Sequence, residues 1–69
     1  MMMEKIIKIE GMMCSHCEAR VKKALEALPQ VAEAIPDHEN NMARVILNEN
    51  LEFEVLKTCV EDQGYDVIG

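Results

Sequence analysis

Two periods of hydrophobic and polar residues run through the 69-residue chain, and the switches between them mark six elements. Residues 4–10 alternate, with Lys5, Ile7 and Ile9 on one face and Glu4, Lys8 and Glu10 on the other, which predicts a half-buried strand ended by Gly11. From Ser15 to Leu28 the period changes. Val21, Ala24, Leu25 and Leu28 fall at i, i+3, i+4 and i+7 on one helical face, and Pro29 ends the helix. A second strand is expected over 31–36, a polar turn over Asp37-His38-Glu39-Asn40-Asn41, and a third strand over 42–48, where Ala43, Val45 and Leu47 alternate with Met42, Arg44 and Ile46. A second helix over 52–63 is expected to pack Phe53, Leu56 and Val60. Gly64 then supplies a left-handed cap, and Tyr65 to Ile68 form a short last strand.

The order β-α-β-β-α-β predicts an α+β fold, the split-βαβ or ferredoxin-like sandwich. Two right-handed crossovers place both helices on one face of a four-stranded antiparallel sheet, leaving the second and fourth strands at its edges. Pro36 agrees with an edge, because it has no N–H to give to a ladder. The inward register of the second strand stays open: Ile35 carries the apolar weight, and Ala34 with Pro36 is the alternative.

Composition narrows the class. Residues 1–69 are enough for one small domain, since a chain of this size buries about 60 % of its unfolded surface. Seven basic residues against thirteen acidic ones give a net charge of −6, which speaks against nucleic acid, where Lys and Arg must neutralise phosphates. Only Phe53 and Tyr65 could stack on bases. Three cysteines are too few, and odd in number, for a disulfide framework. The opening Met1-Met2-Met3-Glu4-Lys5-Ile6-Ile7 has neither the apolar stretch nor the cleavage site of a signal peptide, and no segment is long enough to insert in a membrane. The expected setting is the cytoplasm, where thiols stay reduced.

The chemistry concentrates in Gly11-Met12-Met13-Cys14-Ser15-His16-Cys17, at the junction of the first strand and first helix. Two cysteines three apart, the second in the first helical turn, turn their sulfurs toward one point. Unpaired N–H groups and the positive end of the helix dipole favour thiolates there. A thiolate pair suits a soft metal ion, above all Cu(I), which accepts two ligands in a line. Cys14 and Cys17 are therefore the expected metal ligands.

The run Gly-Met-x-Cys-x-x-Cys resembles the heavy-metal-associated domain of bacterial copper chaperones and of the N-terminal regions of copper-transporting P-type ATPases. The similarity extends through Val21, Ala24-Leu25, Leu28 and Val31 to Glu61-Asp62-Gln63-Gly64-Tyr65-Asp66-Val67. It implies a non-enzymatic metal carrier that binds Cu(I) at Cys14 and Cys17. It further implies that Met12 packs beneath the loop, Tyr65 lies beside the site, and the partner is the N-terminal domain of a copper-transporting P-type ATPase. In this family zinc- or cadmium-selective members carry a carboxylate where Met13 stands, and mercury-scavenging members are periplasmic, so copper leads. Met13, Gln30 and Glu52 depart from the family pattern without removing a ligand.

The remaining candidates read more plainly. Met12 and Cys59 are expected in the core, Met13 and His16 exposed near the thiols, and His38 solvated in its turn. Arg20, Lys22 and Lys23 form a small basic patch, either a solvated face or a docking surface. A thiol–disulfide oxidoreductase is the rival use of the same cysteine pair, but the chain lacks the length and strand order of a thioredoxin fold. A structural zinc site needs four converging ligands, which Cys14, Cys17, Cys59 and two histidines on separate elements do not provide. The metal-free chain is expected to be a monomer, with Cu(I) able to bridge two loops in a homodimer.

Overall fold

The computed structural model describes residues 2–69. Its elements follow the expected order: β1 (Met3–Glu10), α1 (Ser15–Glu26), β2 (Val31–Asp37), β3 (Met42–Leu47), α2 (Phe53–Glu61) and β4 (Asp66–Val67). The strands form one antiparallel sheet in the order β2-β3-β1-β4, so β2 and β4 are its edges. Inward side chains Ile7, Ile9, Ala43, Val45 and Leu47 are fully buried beneath Val21 and Leu25 of α1 and Leu56 and Val60 of α2. The opposite sheet face is open, with Ile6 exposed and Glu4 paired to Arg44 at 3.0 Å.

Both helices stop earlier than their apolar spacing suggests. Helix α1 ends at Glu26, and Leu28 and Val31 close tighter turns onto the carbonyls of Leu25 and Leu28 at 3.1 and 3.0 Å. The ring of Pro29 disfavours a helical backbone at the residue before it, so the chain leaves the helix in advance of the proline. Leu28 still packs against the core from this turn. Helix α2 ends at Glu61, and Gly64 takes the expected left-handed conformation, with φ +95°.

The register left open in β2 is decided by the pairing, and one packing expectation is corrected. In β2 the inward residue is Ala34, fully buried, whereas Ile35 is 42 % exposed. An irregularity between Val31 and Glu33 shifts the pairing with β3, which lets Val31 and Ala34 both face inward although they are three apart. Phe53 does not pack in the core; as the first residue of α2 it lies at the surface. Its place is taken by Leu51, which is buried and whose carbonyl accepts a 2.7 Å hydrogen bond from Lys5 Nζ.

A second correction concerns His38, which is more than a solvated turn residue. Its main-chain N–H donates to Glu18 Oε2 of α1 at 2.7 Å, and its Nδ1 lies 2.7 Å from the same oxygen. The β2–β3 turn is thereby latched to α1. The hydrogen bond to the Glu18 carboxylate raises His38 above the usual histidine value of 6.5, and the His38 N–H, followed by the ring, holds Glu18 below the usual 4.5. A raised histidine stabilises the fold below its unfolded value and loses that contribution as pH rises through its folded value. A lowered carboxylate contributes above its unfolded value and loses this as pH falls through its folded value. The latch is therefore complete between about pH 4.5 and 6.5.

Two expected outcomes follow. Ile35→Thr should change the unfolding free energy by no more than about 0.5 kcal/mol, whereas Ala34→Ile should cost about 1–3 kcal/mol by overpacking; urea denaturation distinguishes them. Glu18→Gln should lower the titration midpoint of His38 in an NMR pH series, and an unmoved midpoint would show that the latch is not formed in solution.

Candidate metal centre

Helix α1 begins without the side-chain cap that helices normally use. Cys14 occupies the N-cap position in extended conformation, φ −164° and ψ −178°, and its side chain caps nothing. A Ser, Thr, Asn or Asp there typically contributes about 1 kcal/mol. The chain forgoes that stabilisation and places a thiol at the position instead. The Cys14 carbonyl closes the first turn, accepting from the N–H groups of Cys17 at 3.1 Å and Glu18 at 3.2 Å. Gly11, with φ +102°, lets the chain leave β1 in a direction that residues with a Cβ rarely take. Met12 is then driven into the core, 3 % exposed, and Met13 is thrown outward, 80 % exposed. The buried Met12 anchors the loop while the cysteines stay on top.

All three cysteines are free thiols. Cys14 is exposed and Cys17 half-buried, and the two lie within hydrogen-bonding reach of each other. The Met13 N–H, directed toward the Cys17 sulfur, is the main cause holding that thiol below its usual value of 9.0; the Tyr65 hydroxyl comes next, and partial burial opposes both. Tyr65 is buried beside the loop, and its own ionisation is pushed up chiefly by this bond, because losing the proton would set an anion against the Cys17 sulfur. The N–H groups that act on Cys17 are thus those of Met13 and Cys14, just before α1, and not those of its first turn.

The other candidates separate from the site. Cys59 is half-buried against the core and donates to the Ala24 carbonyl at 3.1 Å; burial pushes its thiol up, so it is a packing residue tying α2 to α1. His16 is exposed at the helix start. Lys22 is drawn out of the basic patch, bound to Glu26 at 2.8 Å and to the Ala34 carbonyl at 2.9 Å. Arg20 takes a role that its place in the chain did not announce: its guanidinium lies over the Tyr65 ring, 6.0 Å from the centroid. The contact spans forty-five positions of sequence, and only the return of β4 beside β1 creates it. Among the described residues no three His, Cys, Asp or Glu side chains converge as metal ligands, so the site is an open pair and not a closed cage.

The structure is a ferredoxin-like domain that presents a thiol pair at its surface. The chain belongs to the heavy-metal-associated domain family, whose model matches residues 6–66. It is 45 % identical over 67 residues to the copper chaperone CopZ of Staphylococcus haemolyticus, covering 96 % of this chain and 98 % of that one. Among solved structures it is similar to a CopZ metallochaperone, with TM-score 0.90, 34 % identity, and coverage of 96 % of this chain and 100 % of that one. It is also similar to the Cu(I)-loaded N-terminal domain of a potential copper-translocating P-type ATPase from Bacillus subtilis, with TM-score 0.87, 29 % identity, and coverage of 97 % and 85 %. The family consists of metal carriers, not enzymes.

Tyr65→Phe should raise the pH at which Cys17 ionises, because it removes a donor that favours the thiolate. Iodoacetamide alkylation of Cys17, followed against pH, should shift to higher pH. An unchanged profile would mean that the Tyr65 hydroxyl does not reach the sulfur in solution.

Proposed function

We propose that this domain carries Cu(I) in the cytoplasm on Cys14 and Cys17 and hands it to the N-terminal domain of a copper-transporting P-type ATPase. The observation that carries the reading is the open pair: two thiols within reach of each other on an exposed loop, one already favoured as thiolate. Similarity to copper chaperones along nearly the whole chain supports copper as the cargo. The shared fold of the Cu(I)-loaded ATPase domain supports that kind of partner.

The chemistry suits delivery better than storage. A two-coordinate Cu(I) ion leaves room for a third sulfur. An incoming thiolate of the partner adds to the ion before Cys14 or Cys17 leaves, so no step strips the metal below two soft ligands. Cys14, the more exposed sulfur, is the natural first to leave. Cys17, gripped by the Met13 N–H and the Tyr65 hydroxyl, holds on longer. Docking would use the surface around Cys14, Cys17, Tyr65 and α1. The metal-free protein is a monomer in this reading, and Cu(I) in excess of partner sites bridges two loops into a homodimer.

Binding releases whatever protons the thiols hold, so Cu(I) affinity rises with pH until both are ionised. Cys14→Ser and Cys17→Ser should each abolish tight Cu(I) binding in competition with a chelator, while Cys59→Ser should leave it unchanged and cost about 1 kcal/mol of stability. Mixing Cu(I)-loaded protein with the metal-free ATPase domain, followed by NMR, should show exchange far faster than loss to the chelator. Exchange no faster than that loss would mean sequestration instead of delivery.

A further inference from the structure

Strand β2 is a sheet edge, and its outward main-chain groups should be open to another strand. They are not. Ala34 N–H donates to Glu26 Oε2 at 3.0 Å, and the Ala34 carbonyl accepts from Lys22 Nζ at 2.9 Å, with Lys22 and Glu26 themselves joined at 2.8 Å. Along a strand, outward-facing groups recur every second residue. The next position is Pro36, which has no N–H. The one after is His38, whose N–H goes to Glu18. Every outward donor from 34 to 38 is thus absent or taken. The three α1 residues involved, Glu18, Lys22 and Glu26, stand at i, i+4 and i+8, a single stripe along the helix.

The same stripe does more than surface ion pairs usually do. An exposed i,i+4 pair alone is worth only a few tenths of a kcal/mol. Here each carboxylate also binds a main-chain N–H that would otherwise face solvent at an unprotected edge. The opposite edge needs no such device, since β4 comprises only Asp66 and Val67.

We propose that the Glu18–Lys22–Glu26 stripe guards a latent interface on the outer edge of β2, and that its occupant once the guard is lifted is the β2 strand of a second copy of this chain. Antiparallel pairing of two β2 strands about Ala34 sets Val31 against Asp37 and Glu33 against Ile35, so no like charges stand directly opposite, and the two Glu33 side chains lie on a diagonal. It also brings the two Ile35 side chains, each 42 % exposed in the monomer, into diagonal contact across the joint. The guard acts apart from the thiol loop, so this inference goes beyond the metal-carrying reading and does not depend on it.

The test uses metal-free protein under reductant, so that neither copper nor a disulfide can link copies. In the wild type, the Ala34 and His38 amides should exchange with D2O as slowly as paired amides of the sheet. Glu26→Ala should speed exchange at Ala34 about tenfold or more while Val45 is unchanged, and Glu26→Gln, which keeps an acceptor, should preserve most of the protection. The triple variant Lys22→Ala/Glu26→Ala/Pro36→Val should sediment as a concentration-dependent dimer where the wild type stays monomeric, with Val45 protection showing that the sheet is intact. Should that variant fail to fold, Lys22→Ala/Glu26→Ala is read by the same two measurements. Ala34 exchanging as freely as a loop amide in the wild type, or a folded variant that stays monomeric at every concentration, would overturn the proposal.

Discussion

Val21 and Leu25 are fully buried between α1 and the sheet, while Glu18, Lys22 and Glu26 on the neighbouring stripe grip the edge strand and its turn. Helix α1 is therefore held by an apolar contact below and a polar contact at its side. Sliding or rolling would break both sets of contacts, and they set its N-terminus beside the end of β1. The positions of Cys14 and Cys17 follow from this, because one is the N-cap of that helix and the other stands in its first turn.

A loop held so firmly at its base can be left unfinished at its top. Met12 is buried and Gly11 sets the exit from β1, but no side chain caps the helix and the N–H groups of the loop are left to face sulfur. Stability that a capping residue would supply is given up for thiolate character. The core supplies the compensation: Ile7, Ile9, Leu25, Leu47, Leu56 and Val60 are all fully buried, and among the described residues no buried side-chain polar atom lacks a partner.

The two cysteines are not equivalent in this frame. Cys17 is half-buried and held by the Met13 amide and the Tyr65 hydroxyl, with the Arg20 guanidinium over the tyrosine ring. Cys14 stands exposed at the lip. An asymmetric pair suits an ion that must be gripped and also released. Met13 is exposed beside it and brings no carboxylate, and among the described residues no three His, Cys, Asp or Glu side chains converge, so the pair offers two sulfurs, which favour a soft ion over a hard one.

Much of this could be read from the residues themselves. Alternation in 4–10 and 42–48, the apolar stripe Val21-Ala24-Leu25-Leu28 and the breakers Gly11, Pro29 and Gly64 mark the six elements, because local backbone preference and side-chain period act over a few residues. The cysteine spacing and its place at a strand–helix junction point to soft-metal chemistry for the same local reason. What lay beyond the sequence involves partners far apart along the chain. The choice of Ala34 over Ile35 as the inward residue depends on the pairing shift with β3, and the burial of Leu51 in place of Phe53 depends on where the segment before α2 meets Lys5. The pairing of His38 with Glu18, the capping of β2 main-chain groups by Lys22 and Glu26, and the contact of Arg20 with Tyr65 arise only when the sheet closes. Each joins residues whose own preferences are satisfied equally well by water, so nothing in the local sequence selects the partner; only the packed arrangement brings the two within reach.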